Sequence, residues 1–381
     1  MSKSTVKPFV TTLLSAALKA VMTAVTVAVA FATIFSAYGG CFDPDEVPVA
    51  ALAAMALPAI LIAGLMLTLI NCLISWKLAL VIPVSWLVSL KPLLIFFPLN
   101  VSSPSVTPEQ EAHSFTLMTY NVQHFDPYVQ GADYKENPTV EFILSKKPDV
   151  VCLQEAQQVM RGDIPFISNS QYDSICAIYP YRTYITDRDC SIYSRYPIKR
   201  VDIKQPIPTK PCNVITYMLT VDSVDILLCD VHLRSIGLQP DDKQLYRELP
   251  SHLRSENQIR EEIREVKSQL VSKLATSFSA RKLESEWLRN AIDSIGCPNV
   301  IVAGDFNDIP GCYAQRIIMD GDMTDAYARC AFGPRITYHD NWFYFRIDHI
   351  LYRGDLEAVK IKRFTPQCSD HYPLMATFVI K

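Results

Sequence analysis

The sequence predicts an α/β domain preceded by an N-terminal helical transmembrane segment. Three observations carry that expectation. Long apolar stretches, nearly free of charge, are confined to the first quarter of the chain. From Phe115 onward, short strand-like runs alternate with turns and with one well-signalled helix start. Polar clusters sit at the ends of several of those runs.

Val21 through Tyr38 is apolar apart from Thr and Ser, and Phe9 to Leu18 extends it upstream past Lys19. Val47 through Ser75 carries no charge and is broken by Pro58 and Asn71; Leu78 through Leu99 is apolar except for Lys91. About 20 apolar residues cross a bilayer as a helix, because nothing in hydrocarbon satisfies an open backbone. Residues 1–101 are therefore expected to hold three spans, with the lipid bilayer as their partner. Lys91 and Pro92 either end the third early or leave the lysine to snorkel to an interface. A removed signal peptide would account for Lys3, Lys7 and the first run only. Gly39-Gly40-Cys41 hints at lipidation, but Tyr38 stands where an aliphatic residue is usual.

Lys3, Lys7 and Lys77 lie on one side of these spans, and Asp43, Asp45 and Glu46 on the other. The positive-inside rule then puts residues 102–381 outside the cytoplasm, making this a multi-pass protein with an extracytoplasmic domain. Two spans instead of three would return that domain to the cytoplasm. The 11 cysteines, odd in number, favour a reducing compartment. Cys152 and Cys229 lie in apolar runs and read as small core residues. No CxxC spacing supports a zinc or iron–sulfur site.

Residues 102–112, with Ser102, Ser103, Pro104, Ser105 and Pro108, read as a linker, and 113–381 as one domain. Phe115 to Tyr120 reads as a strand. Asn137-Pro138-Thr139 reads as a capped helix start, followed by Val140, Ile143 and Leu144 on one face and a stop at Pro148. Val150–Leu153, Ser191–Tyr193, Val214–Val221 and Asp225–Val231 read as further strands. The charged block 241–294 differs: Ile259, Ile263, Val266, Leu270 and Leu274 fall at helical spacing, and Leu283, Trp287, Leu288 and Ile292 continue an apolar face. A long helix or a helical hairpin is expected there, its mixed charges marking a solvated face. A membrane-surface or substrate-recognition arm is the functional alternative. The net charge of −3 gives no electrostatic case for a protein wrapped on nucleic acid, though it leaves room for a local cationic groove.

The polar clusters point to chemistry. Glu155, at the end of an apolar run, suits a hard divalent cation, the requirement for metal-assisted attack on a phosphate ester. Asp305 and Asn307 lie two apart, so on an extended segment they face one side. One would hold or deprotonate water and the other would donate its amide hydrogens to a phosphate oxygen. Alone, Asp305-Phe306-Asn307-Asp308 would read as a turn. His371 follows Asp370, and Asp348 would hold its ring in one tautomer. His232, in Asp-Val-His-Leu-Arg, is the candidate acid for the leaving group or a further phosphate ligand. His113, His124, His252, His339 and His349 show no partner and read as structural.

Taken in order, Tyr120-Asn121, Leu153-Gln154-Glu155, Val231-His232-Leu233, Gly304-Asp305-Phe306-Asn307, Ile347-Asp348-His349 and Ser369-Asp370-His371-Tyr372-Pro373 resemble the signature of the endonuclease/exonuclease/phosphatase superfamily. The resemblance covers residues 113–381. It implies a four-layer α-β-β-α sandwich of two mixed sheets with the site at one end. It also implies magnesium or manganese on Glu155, with Asn121 and Asp370 close by. His371 with Asp348 would be the base or phosphate-stabilising pair, Asp305 would orient water or metal, Asn307 would bind phosphate, and His232 would assist the leaving group. Asp189 to Pro197 resembles the family's strand before a Ser-Arg-Tyr-Pro turn but lacks the glycine often found upstream, and block 241–294 exceeds that of compact nucleases. The implied activity is hydrolysis of a phosphodiester or phosphomonoester by in-line attack of water at a membrane-anchored site. Nuclease-type action leads; a phospholipid headgroup diesterase or phosphoinositide phosphatase follows. A non-catalytic tethered binding protein on the same scaffold is the rival class.

Overall fold

The structure, a computed structural model, describes residues 3–102, 104–125, 136–156, 167–183, 189–209, 213–236, 256–340 and 344–381. Contacts divide the chain into two units, Met1–Leu94 with Gly311–Tyr313 and Ile95–Pro310 with Ala314–Lys381.

In the first unit the largely apolar N-terminal sequence forms α1 (Lys3–Ala37), α2 (Pro48–Met55) and α3 (Leu57–Ile74). Within these, Ser15–Ala37 and Leu57–Ile74 are long and apolar enough to cross a membrane. The run from Val47 does not form one helix. It breaks at Ala56, ahead of Pro58, because proline lacks the N–H an ongoing helix needs and suits a first turn. The third expected span is likewise not one straight helix. Its residues form α4 (Trp76–Ala79), α5 (Val81–Val88) and α6 (Leu90–Phe96), with a bend of 72° before α6, whose first turn carries Lys91 and Pro92. Asn71 Nδ2 donates to Thr26 Oγ1 at 2.8 Å, so a buried amide on α3 finds its partner on α1.

The second unit opens with α7 (Pro108–Ala112), a short helix inside the stretch expected to be a linker. Thr107 and Gln110 close it with a capping box. The expected strands appear as β1 (Ser114–Asn121), β2 (Val150–Gln154), β4 (Ser191–Ser194), β6 (Asn213–Val221) and β7 (Val224–His232). They are joined by β3 (Tyr181–Arg182), β5 (Ile198–Arg200), β8 (Val300–Asp305), β9 (Thr324–Asp325), β10 (Asp348–Arg353), β11 (Leu356–Arg363) and β12 (Leu374–Ile380). These build two six-stranded mixed sheets, in the orders β11-β12-β1-β2-β4-β3 and β5-β6-β7-β8-β10-β9.

Helices lie outside the sheets. Asn137 caps α8 (Pro138–Lys146) through Thr139 and Val140, and Lys147 ends it in a left-handed conformation. Val140 and Ile143 of α8 and Ile175 of α9 (Asn169–Ile178) pack on Met118, Tyr120, Val151 and Leu153, the outer face of the first sheet. The charged block is one helix, α10 (Glu256–Ile295), rather than a hairpin; residues 241–255 lie outside the described residues. Buried Arg281 ties α10 to the strand ends, donating to Asp308 at 3.1 Å and to the Arg234 carbonyl at 2.8 Å. Between the sheets lies an apolar seam of Phe115, Leu117, Ile226, Leu228, Ile301 and Ala303, among others.

Candidate active site

Side chains on a strand alternate between faces, so residues two apart share one. Phe115 and Leu117 of β1, Ile226 and Leu228 of β7, and Ile301 and Ala303 of β8 all face the seam. Continued by the same step, those rows end at Asn121, His232 and Asp305. On β10, Ile350 and Tyr352 face the seam, and the row begins at Asp348. Each sheet has one parallel pair at its centre, β1 with β2 and β7 with β8. Parallel strands finish at the same end, which sets Asn121 opposite Gln154 and His232 opposite Asp305. Antiparallel β10 starts where β8 stops, Asp348 opposite Asp305. Asp370 and His371 lie just before β12, which enters beside β1. Topology thus collects groups spread over 250 residues of chain at one end of the seam, from Asn121 to His371 (~250 positions by numbering).

Asp305 sits at the centre, 1% exposed. Its Oδ2 accepts from Asn121 Nδ2 at 3.1 Å and faces His371 Nε2 at 3.6 Å and His232 Nε2 at 3.9 Å. Its Oδ1 accepts the Asn307 backbone N–H at 2.8 Å. Burial raises the Asp305 carboxyl, opposed by the neighbouring His371 charge.

Each imidazole is backed by its own carboxylate. His371 Nδ1 donates to Asp348 Oδ2 at 2.9 Å, and His232 Nδ1 to Asp189 Oδ2 at 2.7 Å. Burial alone would lower both rings. The charges of Asp348 and Asp305 outweigh it and lift His371 to about 10. The Asp189 hydrogen bond and charge, with Asp305, lift His232 to about 9. Two imidazolium rings therefore flank Asp305 at neutral pH.

Asn307 departs from expectation. Its φ of 51° ends the extended run, so Asp305 and Asn307 do not share one face of a strand. They form an Asx turn, and the Asn307 amide Nδ2 donates to the Leu233 carbonyl at 3.0 Å.

Glu155 also has a positive φ, 55°, which turns it out of the strand alternation. Its carboxylate accepts from Asn121 Nδ2 at 3.2 Å and meets His124 Nε2 at 3.3 Å. The Glu155 side chain is 26% exposed. Asp370 is raised first by burial and further by the Glu155 charge, with His371 opposing. Its backbone N–H donates to Gln123 Oε1 at 3.2 Å. Among the described residues no lysine or arginine pairs with Glu155 or Asp370. Crowded hard oxygen donors without a fixed cation fit a divalent metal, which Glu155, Asp370 and Asn121 could hold. Asp305, Asp348 and His371 also cluster, with one ligand atom from each within 4.8 Å of the others. There the Asp348–His371 hydrogen bond already occupies one ring nitrogen, which suits holding a proton.

Three neighbours carry no sequence signal. Asp189 lies 43 positions from His232 in a segment with no ligand pattern. His124 and Gln123 reach Glu155 and Asp370 only because Gln123, His124 and Phe125 all take positive φ values. The other histidines keep structural roles: His113 pairs with Asp222 at the surface, and His339 stacks on Tyr372. Buried His349 bonds Arg346 and the Asp308 carbonyl. His252 lies outside the described residues.

No curated protein sequence matches the chain. Among solved structures, an endonuclease/exonuclease/phosphatase from Bacteroides vulgatus is similar at 15% identity, covering 70% of this chain and 99% of that one, with a TM-score of 0.46. A Bacteroides thetaiotaomicron family protein is also 15% identical, covering 70% and 98%, with a TM-score of 0.45. The human Nocturnin catalytic domain, with bound sulfate, is 17% identical, covering 70% and 95%, with a TM-score of 0.45. The sequence itself matches the family described as Endonuclease/Exonuclease/phosphatase over residues 118–371, two thirds of its length. The chain belongs to the endonuclease/exonuclease/phosphatase family, generally dependent on a divalent metal, and is a hydrolase of phosphate ester bonds.

Proposed function

We propose that the chain is a membrane-anchored phosphodiesterase, active with magnesium or manganese, in which water attacks phosphorus in line with the leaving oxygen. One observation carries this reading: two carboxylate-backed imidazoles flank a single buried carboxylate, Asp305. Asp305, made more basic by burial, takes the proton of the attacking water. His371, held charged by Asp348, stabilises the non-bridging oxygens. His232, held charged by Asp189, protonates the departing oxygen. An alkoxide is a poor leaving group, so a positioned acid favours diester cleavage. Asn307 holds its turn through Leu233 and directs its backbone to Asp305. A cation on Glu155, Asp370 and Asn121 would supply charge neutralisation at the phosphate.

A nucleic-acid diester leads as substrate, and a phospholipid headgroup is the second reading, favoured by the two apolar helices that would keep the site near lipid. Full-length protein in detergent should hydrolyse bis(p-nitrophenyl) phosphate with magnesium or manganese and stop in EDTA. Glu155→Gln and His371→Ala should each lose at least ~100-fold in kcat, the scale for removing a catalytic group. Full activity in either would overturn the reading. Plasmid DNA, sphingomyelin and phosphoinositides assayed side by side separate the substrates; lipid turnover without nicking would reverse their order.

A further inference from the structure

The alternation that ends at the site leaves a polar layer one step beneath it. Thr119 lies two before Asn121, Asp230 two before His232, and Gln154 one before Glu155; all three are fully buried. Gln154 Nε2 donates to Asp230 Oδ1 at 2.6 Å and to Thr119 Oγ1 at 3.2 Å. Thr119 and Gln154 belong to the sheet that carries Asn121 and Glu155, whereas Asp230 belongs to the sheet that carries His232 and Asp305. Below this layer the seam turns apolar at Leu117, Cys152, Leu228 and Ala303.

A carboxyl at that depth is costly, and no apolar side chain would incur the cost. Burial pushes the Asp230 carboxyl well above the usual carboxylate range, opposed by the Gln154 hydrogen bond. Its second oxygen has no hydrogen-bond partner among the described residues. The group is not in the catalytic layer and pairs with no cation. What it does have is a short, directional bond across the seam. Apolar contacts are non-directional and leave packed faces free to shift, whereas a hydrogen bond weakens steeply when its length or angle changes. Gln154 is also anchored lengthwise, since its carbonyl accepts the Val122 N–H at 3.0 Å. Any displacement of Gln154 is therefore passed to Glu155, the next residue.

We propose that Asp230 is a positioning residue that, through Gln154, sets the separation between the half-site on one sheet and the half-site on the other. Asn121 donates to both Glu155 and Asp305, so an error in that separation reaches both sides. The proposal rests on the hydrolase reading above.

The test uses full-length protein in detergent, with kcat and KM for bis(p-nitrophenyl) phosphate and, without substrate, Mn2+ affinity from the thermal shift. Asp230→Val should fold and keep KM, but lose ~30- to 100-fold in kcat, the scale expected for a misplacement near 1 Å. Its Mn2+ binding should weaken about tenfold, the lower end of the loss when an orienting partner is removed. Asp230→Asn keeps the acceptor for Gln154 and should stay within about threefold of wild type, the size of loss that leaves a bond's geometry in place. Gln154→Met should match Asp230→Val, and the double variant should be no worse than either single one. It also carries the test if Asp230→Val fails to fold. Wild-type kcat in Asp230→Val, an equal fall in Asp230→Asn, or additive losses would each overturn the proposal. A wild-type protein that binds Mn2+ but hydrolyses nothing sinks the hydrolase reading instead, leaving the Mn2+ affinities of the variants to decide this one.

Discussion

Asp305 owes its position to strand alternation, but its chemistry comes from what surrounds it. Two imidazoles lie within 4 Å of its Oδ2, at 3.6 and 3.9 Å, and each is charged because a further carboxylate outweighs the penalty of burial. His349, one residue after Asp348, shows the opposite balance. It is fully buried, accepts from Arg346 Nη1 at 3.0 Å and donates to the Asp308 carbonyl at 3.0 Å, so only the neutral ring satisfies both. Burial and the Arg346 charge lower it to about 4. Unfolded, it titrates near 6.5. Between these values the unfolded state binds the extra proton, so stability is whole above about pH 6.5 and falls toward pH 4. The loss is on the order of 3 kcal/mol. Urea melts across that window should show a shallower acid decline for His349→Gln, whose amide also offers one acceptor and one donor. Parallel declines would show that another group sets the acid limit.

At the scale of elements, the site depends on β7 and β8 running side by side to His232 and Asp305. Gly304 makes this possible. Its φ is 149°, and a Cβ there would lie 1.9 Å from the Val231 carbonyl oxygen across the parallel pair. Gly304→Ala must spread the two strands immediately before both functional residues. It is expected to cost about 3 kcal/mol or more, from backbone strain together with overpacking. Denaturant midpoints measure the stability, and kcat on the diester should fall with it. A variant as stable and active as wild type would show that β7 and β8 are not held at this spacing. β7, like β1, β2, β4 and β6, was legible from its apolar run, as was α8 from Asn137-Pro138-Thr139. The left-handed run Gln123–Phe125 was not, because positive φ at three residues without glycine has no local sequence cause; it accompanies the tertiary bonds of His124 to Glu155 and of Gln123 to Asp370.

For the whole molecule, the proposed membrane anchoring rests on two helices apolar enough to cross a bilayer, and it carries a prediction about the side on which the hydrolase lies. We propose an extracytoplasmic domain, from Lys3, Lys7 and Lys77 opposed to Asp43, Asp45 and Glu46, with the bent pair Trp76–Val88 and Leu90–Phe96 crossing as one span. The ten cysteines among the described residues are all free, which suits a reducing compartment. Alkaline phosphatase fused after Lys381 should be active and a fluorescent protein fused there dark, because the phosphatase needs disulfides. The reverse pattern would place the domain in the cytoplasm with two spans.

The sequence by itself determined the strand and helix character of most elements, the apolar helices of the first quarter, and the polar residues at the strand ends. Those follow from periodicity, composition and local capping, which act over a few residues. Only the tertiary structure decided which of those groups meet. Asp189 backs His232 and His124 meets Glu155 although neither stood out in the chain, since contact across 43 or 31 positions is made by sheet order. The same holds for Gln154 and Asp230, 76 positions apart, whose buried bond exists only because two sheets pack face to face. It held also for Asn307, where a turn formed and the extended geometry did not, because Leu233, just past the end of β7, offers its carbonyl to the amide.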